Sequence, residues 1–306
     1  MTKWIFKRLI QLSLATLLLL SDKSMAAALA EDTLQLPDGT WVIASDEQFR
    51  LHRPPQSAPS LVGSNPIGGT LISDRNIART RQLLSGVFSA AWLAQRKSDR
   101  NTAAPQYSLS RYVFSLASTN LTVEATVPLT RSLARRLQGL GYEDGAKFAE
   151  NFANNEAQHE NVVVEDLAAL GINPTLFTTA LQPEGAKNLV KLFAGLVDGP
   201  TPITAIGYMY ALQRSSLLID KSITQKIEST LPKNSNATRT LRIHGGMGEN
   251  AKHARETEEL IATLSAGDRR LVALSVFDTI YLMTNRDDYP GDEAVRSLMQ
   301  KFKKGS

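Results

Sequence analysis

From Asp74 to its C-terminus the chain has no convincing run of alternating apolar and polar residues. Its apolar side chains recur instead at three- and four-residue intervals between strong breaks, the period of helices with one buried face. Asp74 is placed to cap a helix running to about Gln95, with Ile77, Leu84, Phe88, Ala91 and Trp92 near helical spacing. A second helix starts at Ser108 or Ser110 and passes Tyr112, Leu116, Leu133 and Leu137 to Gly139. A third spans about Glu143 to Leu170, where Gly171 followed by Asn173 and Pro174 is a stop signal. A fourth covers about Pro183 to Val197, and Pro200 and Pro202 open a fifth that runs through Tyr210, Leu217 and Ile227 to Leu231. The sixth carries Glu249 to Leu264 and the seventh Ala266 to Met283, and a short amphipathic piece, Glu293 to Phe302, closes the chain. The expectation is an all-α bundle of about seven helices over 74–306.

Residues 31–73 differ. Leu34 to Leu36 and Trp41 to Ala44 read as two short strands about the Pro37-Asp38-Gly39-Thr40 turn, since Asp-Gly suits a tight hairpin. Pro54, Pro55, Pro59, Gly63, Pro66 and the Gly68-Gly69 pair then mark a surface linker or arm that also holds His52. This extension can pair with a second subunit, which would make the protein a homodimer.

Residues 1–30 have the parts of a secretory leader. Lys3, Lys7 and Arg8 form a positive end, Leu9 to Leu20 an almost unbroken apolar run, and Ala28-Leu29-Ala30 a small-x-small cleavage pattern. A spanning helix needs about 20 apolar residues; this run is 12 long, and no later segment is longer and as apolar. An uncleaved N-terminal anchor is the competing reading. The expectation is export to the periplasm or beyond, with no stable membrane span once the leader is removed. Lys3, Lys7, Arg8 and Lys23 against Asp22 also place most of the formal net charge of +4 in the leader. The remainder is nearly neutral, which gives no electrostatic footprint for nucleic acid. The chain has no cysteine, so disulfides, thiolate zinc sites, iron–sulfur clusters, thiol nucleophiles and a cysteine-linked lipid are all excluded.

Three of the four histidines stand among carboxylates in the helical region. Glu156 and His159 are three apart, which on a continuous helix puts a carboxylate and an imidazole on one face, about 5–6 Å apart at Cβ. Glu249 and His253 are four apart, and His244 precedes them across Gly245, Gly246 and Gly248. Glu124 lies in the otherwise apolar stretch Leu121 to Leu129, four residues before Pro128, which should kink the helix. A carboxylate there needs a cationic or metal partner, or water. Carboxylates and imidazoles without sulfur suit iron or manganese, and zinc is a further candidate. A surface Glu–His pair and a Gly-rich loop with an incidental histidine are the ordinary explanations of the same residues, and Glu256 and Glu258 read as exposed face.

These motifs resemble the heme-oxygenase-like superfamily of TenA and PqqC proteins, in particular its branch of non-heme diiron oxidases and oxygenases. The segment Glu156-Ala-Gln-His159 through Asp166-Leu-Ala-Ala-Leu170-Gly171 is similar to the family's Glu-x-x-His helix with its Asp-Leu-x-x-Leu-Gly ending. Val123-Glu124-Ala-Thr-Val-Pro128-Leu resembles the preceding helix that supplies a first carboxylate. Ile206 to Gln213 looks like the family's fifth-helix segment, and His244 to His253 like its last ligand helix. Two positions depart from the pattern. Gln213 stands where diiron members usually have a glutamate ligand, and the family's His-x-x-x-Asp-x-x-His spacing is stretched in His244, Glu249 and His253. A single metal, a weakly held second metal and a scaffold without the chemistry are all compatible with those departures.

The resemblance implies an iron-containing redox enzyme. Glu124, Glu156, His159, His244, Glu249 and His253 would hold one or two iron ions, or manganese. Tyr208, Tyr210 and Gln213 would line a cavity for a small organic substrate and dioxygen. A non-catalytic exported binding protein, for a small molecule or for heme, is the alternative on the same scaffold.

Overall fold

Ser108 starts the longest helix: its Oγ accepts the backbone N–H of Arg111 at 3.1 Å, and the chain then stays helical from Leu109 to Gly139. The computed structural model describes residues 31–53, 68–98, 107–157, 161–245, 249–284 and 288–303. The leader and the proline-rich part of the linker, 54–67, lie outside them. The chain divides into two compact units, Met1–Gly86 and Val87–Ser306.

In the first unit, β1 (Asp32–Gln35), β2 (Trp41–Ala44) and β3 (Phe49–His52) form an antiparallel sheet in the order β1-β2-β3. Leu34 faces Val42 across the first pair, and both are buried with Leu36 and Ala44. Asp38 fixes the turn by accepting from both the backbone N–H and the hydroxyl of Thr40, at 3.0 and 2.9 Å. The sequence foresees two strands, and the third is a correction. His52 ends β3 opposite Trp41 instead of lying in the arm. The outer edge of β1 is covered by residues 68–72: Thr33 N–H donates to Thr70 O at 2.8 Å and Ile72 N–H to Asp32 Oδ1 at 2.7 Å. An edge strand paired in this way is closed to foreign strands. Helix α1 (Ile77–Ser98) begins in this unit, where Arg79 is buried and held by Asp46 and Asp74 at 2.9 and 3.0 Å.

The second unit is an all-α, helix-dominated bundle. After α2 (Leu109–Gly139) come α3 (Glu143–Glu156), α4 (Val162–Ala169), α5 (Pro174–Ala180) and α6 (Glu184–Asp198). A single 3₁₀ turn, Pro202–Thr204, leads into α7 (Ala205–Ser216), followed by α8 (Lys221–Glu228) and α9 (Arg239–His244). The last three are α10 (Glu249–Thr263), α11 (Ala266–Met283) and α12 (Asp292–Lys301). The described residues thus hold twelve α-helices, not about seven. One reason is that two long expected helices are broken. α3 stops at Glu156 and α4 starts at Val162, with 158–160 outside the described residues. The fifth helix stops at Ser216, and Asp220 caps a new one by accepting the N–H of Ile223 at 2.9 Å. The others were missed outright. α5 follows the stop signal at once, because Asn173 caps it through the N–H of Leu176 at 3.2 Å, and α9 is too short to show a period. Pro128 sits inside α2, which continues beyond it to Gly139.

α2 packs against α3 and α6, and α7 packs against α10, α11 and α6. Gly207 sets how closely α7 and α11 approach: a Cβ there would lie 2.3 Å from the carbonyl oxygen of Val272, so any side chain would force the helices apart. Among the described residues no helix is long and apolar enough to cross a membrane.

Candidate functional site

α7 is buried over nearly its whole length, and this is why it carries so few charges. Tyr208 is inside and stacks on Phe193 of α6, with ring centroids 4.3 Å apart and planes 7° from parallel; burial pushes its phenol above the ordinary tyrosine range. Polar side chains face α10 at two points. The Tyr210 hydroxyl donates to Glu258 Oε1 at 3.2 Å, with both residues buried. The buried Gln213 amide meets the buried Thr257 hydroxyl, whose Oγ1 lies 2.8 Å from Gln213 Oε1.

The Gln213–Thr257 contact leaves one polar atom over. Thr257 Oγ1 also lies 2.8 Å from the carbonyl oxygen of His253, one turn earlier in α10, and a hydroxyl has one proton to give. Gln213 Nε2 is buried with no hydrogen-bond partner among the described residues. Turning the amide over lets Nε2 donate to Thr257 while Thr257 donates to His253, and the oxygen then becomes the unpartnered end. In either orientation one end of a buried amide is held through Thr257 and the other has no partner among the described residues. A buried amide end left without any partner costs about 1–3 kcal/mol.

His253 itself is half-buried, and its Nδ1 lies 3.2 Å from Glu256 Oε2 on the same helix. A carboxylate at Nδ1 fixes the ring's tautomer and orientation and leaves Nε2 as the nitrogen with a lone pair to share, the arrangement that supports metal-bound histidines. Glu256 also stands 3.6 Å from Lys252 Nζ.

The other candidates are dispersed or lie outside the described side chains. Glu156 is the last residue of α3, half-buried and engaged with a partner. α3 ends there, and His159 lies outside the described residues, as does the pairing of Glu156 with it. The same holds for the side chains of His244, the last residue of α9, and Glu249, the first of α10. Glu124 is exposed on α2 and accepts from Asn120 Nδ2 at 2.7 Å. It borders an open groove of about 210 Å³ between α2, α4 and α5, whose lining includes none of the other five candidate ligands and none of Tyr208, Tyr210 and Gln213. Among the described residues no group of three histidines and carboxylates is arranged to hold a metal.

Asp166, the acid of the Asp-Leu-x-x-Leu-Gly segment, has a structural job. It is fully buried and accepts the backbone N–H groups of Arg239 at 3.0 Å and Thr240 at 2.9 Å, the first two residues of α9. Tyr112 donates to Ala237 O at 2.6 Å beside it, and burial, then the Asp166 charge, push that phenol well above its usual range. Through Asp166 the helix that follows His159 is tied to the helix that ends in His244.

Sequence reasoning missed Glu256, Thr257 and Glu258. The signal was present: Ala254, Thr257, Glu258 and Ile261 share the inner stripe of α10, and all four are buried, so Glu258 belongs to the core face and not to the exposed one. The chain matches no protein-family model and no curated protein, and the functional reading of the site therefore rests on its own residues.

Proposed function

We propose that this protein is an exported non-heme iron-dependent oxidase or oxygenase for a small organic substrate, built on a heme-oxygenase-like helical scaffold with residues 1–30 as its leader. The observation that carries the reading is the buried Gln213 amide, held at one end through Thr257, which follows His253 by one helical turn, and without a partner among the described residues at the other. His253 is supported as a ligand by Glu256 at its Nδ1. With His159, His244, Glu156 and Glu249 it makes a donor set of imidazoles and carboxylates without sulfur, which fits iron and, second, manganese. Glu124 is not needed in that set, being exposed and already bonded to Asn120. Bound ferrous iron with open coordination positions would supply dioxygen binding and electron transfer from the substrate.

The protein's own groups do the rest. Glu256 orients the His253 ring, Thr257 fixes the Gln213 amide, and Tyr210 holds the buried Glu258 carboxylate by its hydroxyl. Asp166 fixes the start of α9, and so the stretch leading to His244. A second reading, a binding protein without turnover, is favoured by the neutrality of Gln213, which compensates less metal charge than a glutamate.

Anaerobic addition of ferrous ion followed by oxygen separates the two. The expected result is saturable ferrous binding and a transient visible absorption after oxygen is admitted. Ferrous binding with no spectral change supports the binding protein, and no binding removes both the iron and its chemistry.

A further inference from the structure

The groove beside Glu124 has its own chemistry, independent of iron. Its volume is about 210 Å³, the size for a small organic molecule, and no lysine or arginine lines it. Glu124 Oε1 is taken by Asn120 Nδ2 at 2.7 Å, and its second oxygen has no partner among the described residues. Two of the threonine hydroxyls in the wall have spent their protons on the preceding turn of α5. Thr178 Oγ1 donates to Pro174 O at 3.0 Å and Thr179 Oγ1 to Thr175 O at 2.7 Å. What those hydroxyls still offer is lone pairs. The groove therefore combines one negative charge with the free lone pairs of Thr178 and Thr179, beside the Asn120 and Gln182 amides and the Thr175 hydroxyl, and Leu121 and Val164 add an apolar wall.

We infer that this groove is a binding site for a small organic primary ammonium ion, with the –NH₃⁺ group at Glu124 and the threonine oxygens and the hydrocarbon chain along Leu121 and Val164. An ammonium brings three donors and one positive charge to a carboxylate and to two hydroxyls whose protons are already committed. A neutral alcohol of the same shape brings one donor and no charge. A bare divalent cation fits less well, because calcium takes six to eight oxygens, commonly from several carboxylates, and the groove has a single carboxylate and room to spare.

The test is calorimetric or ligand-observed NMR titration of the purified mature chain with n-butylammonium, n-butanol and calcium at low salt. Butylammonium is expected to bind, butanol about tenfold or more weakly, and Glu124→Gln to lower butylammonium affinity about tenfold. Thr178→Val, which removes an acceptor at constant shape, should weaken it about threefold. Raising the salt should weaken binding to wild type and leave Glu124→Gln little changed. Equal affinity of wild type and Glu124→Gln for butylammonium, no binding at all, or calcium displacing the amine through Glu124 would each overturn the assignment. Glu124 is exposed, so Glu124→Gln is expected to fold as wild type, and an unchanged thermal midpoint verifies it.

Discussion

Asp166→Ala is expected to cost about 3 kcal/mol of stability, the largest loss of any single side chain in the polar network, because it strips one buried and one half-buried backbone donor at once and empties a fully buried site. Asp166 is fully buried, and its two oxygens take the N–H groups of Arg239 and Thr240 at 3.0 and 2.9 Å. Those donors open α9 and have no intrahelical acceptor. In the variant the Thr240 N–H remains inside, unmatched, beside Tyr112, whose hydroxyl stays committed to Ala237 O. For a unit of this size the thermal midpoint should fall by about 6–12 °C. Asp166→Asn keeps one good acceptor and turns an amide N–H₂ toward a backbone donor, so roughly half the loss is expected. Circular dichroism melts of the three proteins check this. An Asp166→Ala midpoint within experimental error of wild type would show that α9 is not held by this carboxylate.

Glu256→Gln is expected to lower the affinity for ferrous ion by about 10–100-fold, the usual effect of removing the carboxylate behind a ligating imidazole. The contrast with a surface pair makes the measurement informative. As an i,i+3 helix pair, Glu256 and His253 would be worth about 0.2–0.5 kcal/mol of stability, and the side chains are 43% and 25% exposed. The variant should therefore melt close to wild type while its ferrous binding collapses. Competitive titration against a colorimetric ferrous chelator reads the affinity directly. Equal affinity in both proteins would reduce the pair to an ordinary solvated contact.

The helical core of the fold was legible because period and punctuation agreed. Ser108, Gly139, the Glu184–Asp198 span and the boundaries of α10 and α11 fall within a residue or two of where the sequence puts them. Gly171, at φ +74°, stops α4 as its place before Asn173-Pro174 indicates. The failures have physical causes. Asn173-Pro174 ends one element and caps the next, so a stop signal concealed α5. α9 is set by Asp166, more than seventy residues earlier, and no local pattern carries that information. Within the site, His253 was visible as one of four histidines. Its i,i+3 contact with Glu256 was available from the spacing and was passed over, whereas the engagement of Gln213 with Thr257 depends on which faces of α7 and α10 meet. Glu258 was misread because charge was taken as exposure, although its position on the stripe of Ala254 and Ile261 places it inside.

Iron content after anaerobic ferrous loading and desalting, measured by elemental analysis on the wild-type chain from residue 31 and on its His253→Ala and His159→Ala variants, tests the proposed chemistry most directly. At least one iron ion per wild-type chain, falling to background in both variants with the helical spectrum retained, is the result expected of an imidazole-held centre. The same iron content in all three proteins, or none in the wild type, would contradict it.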